Sequence, residues 1–129
     1  MLDNVKNLSS KYSFGGHSHN HKNLAKIDDP DDLVNEIKLP KKILENTLGI
    51  EIIDFAYPFG GKEEFNSQII EIVRSENYQT AVTALPYYDK RYAREFSYPR
   101  FFVTQRCDQL SLFSRINGLS RILKRQFLK

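Results

Sequence analysis

Four short apolar segments alternate with helical patterns along this chain, and no other feature restricts the fold as much. The segments are "YSFGGHSH", "EIIDFAYPFG", "QTAVTAL" and "SYPRFFV", apolar or aromatic runs that end in Gly, Pro or polar residues. Such runs suit strands that lead into loops. Between the first two lies "DDPDDLVNEIKLPKKILENTLGI", where Leu33, Ile37, Leu44 and Leu48 form a stripe at helical spacing. Asp31 and Asp32 stand at its start, where the helix dipole favours acidic groups, and Gly49 supplies a C-terminal stop. Pro40 falls inside the stripe and is expected to kink or split the helix. A second helix is expected in "KEEFNSQIIEIVRSENY", with Phe65, Ile69, Ile72 and Val73 facing inward. A short helix is expected over Leu2–Lys11, with Val5 and Leu8 on one face, and a final one in "DQLSLFSRINGLSRILKRQFLK", broken near Gly118. Strands alternating with helices imply βαβ units and a parallel sheet or barrel. A closed barrel takes about eight strands. Four therefore predict an α/β fold with an incomplete (β/α) barrel, one domain over residues 1–129 with 108–129 as a basic helical tail.

Composition narrows the function classes. The net charge of +3 is mild and gives no argument for nucleic acid. Cys107 is the single cysteine, which excludes an internal disulfide and a cysteine-based zinc site; it is expected to be an inert small residue. "MLDNVKNLSSKY" has no apolar core of a signal peptide, and no apolar run approaches the roughly 20 residues that span a bilayer. As given, the chain carries no address and is expected to be cytoplasmic.

All three histidines, His17, His19 and His21, fall within five positions after a Gly-Gly pair. In an extended strand the three share a face. In a helical turn His17 and His21 share a face and His19 points away. Either geometry lets two imidazoles converge on one cation, and imidazole suits zinc and other divalent transition metals. A His-x-His-x-His tract at a strand end favours metal over a solvated loop. A catalytic zinc takes three protein ligands, so two histidines form only part of a shell. Ligand sites in such folds lie at the C-terminal ends of strands, which is where "GGHSHNH" and "AYPFGG" both fall.

"GGHSHNHKNL" resembles the second motif of the polysaccharide deacetylases, the NodB-homology or carbohydrate esterase family 4: His-[Ser/Thr]-x-x-His after a glycine, with a following Leu, here Leu24. "DFAYPFGG" is similar to the third motif in its Tyr-Pro-Phe-Gly version, and "YPRFFV" to a later Pro-Arg-strand segment. The resemblance extends over residues 1–103. It implies that His17 and His21 bind a divalent metal, commonly zinc, with Ser18 bracing the loop by hydrogen bonding and His19 at a variable position. It implies that Tyr57, Pro58, Phe59 and Gly60 line a sugar groove, with the Phe59 N–H helping to bind the acetyl oxygen. The metal would polarise the acetamide carbonyl and acidify a water. A general base would deprotonate that water, releasing acetate and leaving a free amine on a carbohydrate polymer or oligosaccharide.

The sequence also departs from the family. The Thr-Phe-Asp-Asp-Gly segment that carries the family's base and third metal ligand does not occur, and no histidine follows His21. Asp28, Asp29, Asp31 and Asp32 are expected to be capping and dipole residues. The expectation is a C-terminal portion that needs a missing N-terminal segment for activity; the alternative is a non-catalytic carbohydrate- or metal-binding homologue. Arg100 either contributes to the substrate groove by orienting a carboxylate or forms an ordinary ion pair. Tyr87, Tyr88, Tyr92 and Tyr98 lie among Lys90, Arg91 and Arg94, an interleaving that can bind single strands; a polar loop is the expectation, without nucleic acid. The tail carries Arg115, Arg121, Lys124, Arg125 and Lys129 beside Ile116, Leu119, Ile122, Leu123 and Phe127. Such a basic amphipathic segment can contact a membrane surface or pack on the sheet.

Overall fold

The computed structural model describes residues 6–8, 11–87, 89–104 and 107–116. Of the expected first helix, residues 6–8 are helical; Val5 lies outside the described residues, as do Tyr88 and the tail beyond Ile116. Three strands, β1 (Gly15–Gly16), β2 (Asp54–Ala56) and β3 (Thr80–Val82), form a parallel sheet in the order β1-β2-β3. Gly15 pairs with Asp54, and Asp54 with Thr80, so the three strands end at one edge.

The predicted fourth strand is reduced to a single parallel bridge between Val82 and Tyr98. Its backbone bonds run from Tyr98 N–H to Ala81 O and from Thr83 N–H to Tyr98 O. Beyond it Phe102 and Val103 are 67% and 64% exposed. Apolar character alone cannot make a strand where the ladder has no further partner.

Helix α1 (Pro30–Leu48) starts on Asp29, whose carboxylate accepts from the Asp31 and Asp32 amides. Pro30 occupies the first turn, where its missing N–H is no loss. Gly49 ends the helix in the left-handed conformation at φ 69°. Of the two expected effects of Pro40, splitting does not occur. The proline sits on the buried face with Leu33, Glu36 and Ile37, and the helix continues through it with one backbone donor fewer. Helix α2 (Ser67–Ser75) is shorter than its pattern because Asn66 caps it, its side chain accepting from Ile69 N–H. Its buried face is Ile69, Ile70 and Val73, with Ile72 only partly covered. Helix α3 (Gln109–Ile116) follows, and 3-10 turns occupy Leu24–Lys26 and Arg94–Phe96.

The helices cover a core built on β2. Phe55 and Tyr57, two residues apart, share a face and meet edge-on at 5.5 Å. Tyr57 stacks on Phe65 at 4.7 Å, and Phe55 leans on Tyr78 at 5.1 Å. Each such buried side chain contributes about 1.5–3 kcal/mol from lost apolar exposure. The Tyr78 hydroxyl donates to Ile37 O at 3.0 Å and lies against β1, where a Cβ at Gly16 would collide with it. Tyr92 packs on Phe65 at 5.1 Å with the Arg91 guanidinium over its own ring, and Tyr87 is also packed against the core. The expected polar tyrosine loop is therefore partly core.

Candidate functional site

The parallel sheet carries three strand ends to one edge. His17 follows β1, the Pro58-Phe59-Gly60 loop follows β2, and Thr83 and Ala84 follow β3. The Tyr98 bridge brings Arg100, Phe101 and Phe102 to the same place. Together His17, His21, Phe59, Ala84, Arg100, Phe101 and Phe102 line an open cavity of about 440 Å³.

Two of the three histidines converge there. The His17 and His21 rings lie 4.9 Å apart and nearly perpendicular. His17 Nδ1 is 2.7 Å from Ala56 O. A carbonyl only accepts, so Nδ1 donates, which leaves Nε2 as the ring nitrogen available to a ligand. A backbone carbonyl fixing the remote nitrogen is the usual support of a metal-binding imidazole. His19 is not part of the cavity lining; its backbone N–H is used elsewhere, as follows.

The loop that makes this convergence holds two non-glycine residues in the left-handed region, Ser18 at φ 55° and His21 at φ 54°. Each such residue costs about 1–2 kcal/mol. Ser18 was expected to brace the loop, but among the described residues its buried hydroxyl has no hydrogen-bond partner. The brace is Glu36 on α1. Its Oε2 accepts from His19 N–H at 3.0 Å and Asn20 N–H at 2.8 Å, and its Oε1 from Asn20 Nδ2 at 2.7 Å. Lys22 Nζ stands 3.6 Å from Oε1. Burial works to raise the Glu36 pKa; the Asn20 and His19 donors and the Lys22 charge outweigh it, and the group stays below the ordinary carboxylate value. Glu36 was missed in the sequence. The signal was present, because a carboxylate between Leu33 and Ile37 on an apolar stripe is buried and must be paired.

The β2 loop contributes less to the surface than its motif suggests. Tyr57 and Pro58 are fully buried and Gly60 is buried, and of this loop only Phe59 lines the cavity. The Tyr57 hydroxyl donates to Phe96 O at 3.1 Å, and burial raises its pKa well beyond the ordinary phenol range. Gly60 N–H closes a three-residue turn onto Pro58 O at 2.6 Å, while Gly60 O accepts from Ala84 N–H. This turn holds Phe59 at φ 60° and leaves its ring 58% exposed, 5.0 Å from His21. Strain of this kind persists only where the surroundings enforce it.

Arg100 lines the cavity and donates its Nε to Thr83 O at 2.8 Å. Among the described residues it forms no ion pair, so neither expected carboxylate partner is present. Asp29 is the α1 cap, as expected, and Asp54 on β2 accepts from Thr80. Among the described residues no group of three or more His, Cys, Asp or Glu side chains is placed to hold a metal. The donor set fits a metal as two imidazoles, one with a fixed tautomer, and does not complete a three-ligand shell.

The sequence model of the polysaccharide deacetylase family matches residues 3–81. No curated protein matches the chain. Among solved structures, the deacetylase PplD of Streptococcus pyogenes in complex with acetate aligns at TM-score 0.77 and 25% identity. A polysaccharide deacetylase from Bacillus cereus aligns at TM-score 0.71 and 22% identity. Each alignment covers 89% of this chain, but 50% of the first structure and 36% of the second. The chain thus spans half the length or less of these structures.

Proposed function

The chain belongs to the polysaccharide deacetylase family, and from that premise we propose that its cavity is the metal-binding and acyl-binding part of a site for hydrolysing N-acetyl groups on a carbohydrate polymer. The observation that carries this is the convergence of His17 and His21 with the His17 tautomer fixed by Ala56 O. The acetate complex of the related PplD supports an acetyl group as the unit handled.

His17 and His21 would hold a divalent metal, with zinc the first choice for an imidazole pair. When bound, such a metal supplies Lewis acidity at a carbonyl and acidifies water. The remaining chemistry belongs to the chain. Ala56 O accepts from His17 Nδ1, which leaves Nε2 as the ring nitrogen available to the metal. Phe59, fixed by its tight turn, offers an apolar ring beside His21 for a sugar face, and its backbone N–H is the proposed donor to the acetyl oxygen. Arg100, anchored on Thr83 O, adds positive charge to the cavity wall. A general base is the remaining requirement.

A second reading, carbohydrate or metal binding without hydrolysis, is favoured by one observation: no carboxylate joins the two histidines among the described residues. One assay separates the two. Acetate release from N-acetylglucosamine oligomers is measured in the presence of zinc, with zinc affinity taken by calorimetry. Hydrolysis requires acetate release that disappears in both His17→Ala and His21→Ala. Zinc and oligomer binding without acetate release gives the binding reading. Zinc affinity unchanged in both variants would remove the metal site altogether.

A further inference from the structure

We infer that Glu36 is the positioning residue of the His17–His21 pair: a buried helix carboxylate that shapes the loop in which the two imidazoles meet. The inference rests on taking that pair as metal ligands. It follows from where the donors to Glu36 lie. His19 N–H and Asn20 N–H belong to residues between the two histidines, and Asn20 Nδ2 and Lys22 Nζ bracket His21. His17 has its own anchor on Ala56 O. Among the described residues His21 has only ring contacts, with His17 and Phe59, so its position depends on the backbone that Glu36 grips.

That backbone does not hold itself. Ser18 and His21 both sit at positive φ, on either side of the two amides that Glu36 binds, and the Ser18 hydroxyl has no partner among the described residues. Released, both residues would relax toward ordinary φ and the rings would separate. Glu36 is well placed to prevent this. Its side chain is 4% exposed, and it projects from a helix whose neighbouring Leu33 and Ile37 are packed into the core. A short, charge-assisted grip from a rigid element orients ligands more precisely than a loop residue does.

The position of the carboxylate and its charge are separable. Glu36→Gln keeps an oxygen for the His19 and Asn20 amides, and the Asn20 side chain can turn over to accept from the new NH₂ group. Glu36→Asp keeps the charge but withdraws it by one methylene. Glu36→Ala leaves both amides without a partner. Zinc affinity is measured by calorimetry on each variant, with His17→Ala as the ligand control and Asn66→Ala as a destabilised control remote from the loop. Amide NMR of the metal-free protein reports the His19 and Asn20 N–H groups directly.

Positioning predicts that Glu36→Gln binds within about threefold of wild type, whereas Asp and Ala lose roughly 10–100-fold, the range typical of residues that orient ligands. Asn66→Ala should lower stability and leave affinity unchanged. The His19 and Asn20 amide resonances should move upfield in Asp and Ala without metal present. Should Ala fail to fold, the Gln and Asp pair still decides. Asp binding as tightly as wild type, or Ala doing so while folded, overturns the inference alone. Affinity untouched by His17→Ala as well overturns the metal reading together with it.

Discussion

At the scale of single residues, the site separates side chains that support from side chains that face the cavity. Tyr57 belongs to the first group despite its place in a motif. Its ring is sealed between Phe55 and Phe65 and its hydroxyl satisfies Phe96 O. Tyr57→Phe keeps the ring and strands that carbonyl, a loss of about 1–2 kcal/mol in unfolding free energy. Denaturant unfolding should show that loss while zinc affinity stays at the wild-type value; a change in zinc affinity without a change in stability would return Tyr57 to the ligand surface. Phe59 belongs to the second group, held at positive φ with its ring in the open. The difference could not be read from "AYPFGG", because strand alternation would put Tyr57 and Phe59 on one side, and it is the tight Pro58–Gly60 turn, with Phe59 at φ 60°, that swings the second ring outward. The histidine cluster was more legible. Its spacing limited the pairs that could converge, and the turn selected His17 with His21.

At the scale of elements, α1 joins the two halves of the site. Its buried face holds Glu36 against the histidine loop, and its last turns hold the start of β2. There Glu45 accepts from Ile52 N–H at 3.1 Å and pairs with Lys41 at 3.1 Å, while Lys41 also donates to Ile52 O. The Ile52 N–H is the main cause that keeps the Glu45 pKa below its ordinary value of 4.5, with Lys41 adding to it against burial. A carboxyl with a depressed folded-state pKa stabilises the fold above its unfolded value, and that stability is lost as the pH falls through the folded value. Between pH 6 and pH 3, wild type should therefore lose about 0.5–1 kcal/mol more than Glu45→Gln, read from urea midpoints at each pH. Equal losses would show that this joint carries no charge-linked stability. Most elements were legible in the pattern: the α1 stripe, its acidic start and its Gly49 stop all appear where apolar period and capping chemistry predict. Two departures have physical causes. Pro40 removes one backbone bond but is buried, so packing holds the helix together. "SYPRFFV" has strand composition, but a strand needs an edge to pair with, and only Tyr98 reaches one.

At the scale of the whole molecule, the sheet ends where its apolar surface does not. Phe102 and Val103 follow the last bridge in the open, and α3 shows Leu110, Phe113 and Ile116 at 77%, 59% and 62% exposure. On a helix these three positions fall along one side. A single exposed apolar residue is ordinary, but an exposed apolar helix side is the kind of surface that drives association. The net charge of +3 is too small to oppose contact between copies. Sedimentation velocity across a hundredfold dilution should therefore show a concentration-dependent shift to faster species. Leu110→Lys with Phe113→Lys places two charges in that surface, and it should return the protein to a single slow species while zinc affinity stays unchanged, because neither residue lines the cavity of His17 and His21. A wild-type protein that sediments as one slow species at every concentration would mean that these side chains are tolerated in water.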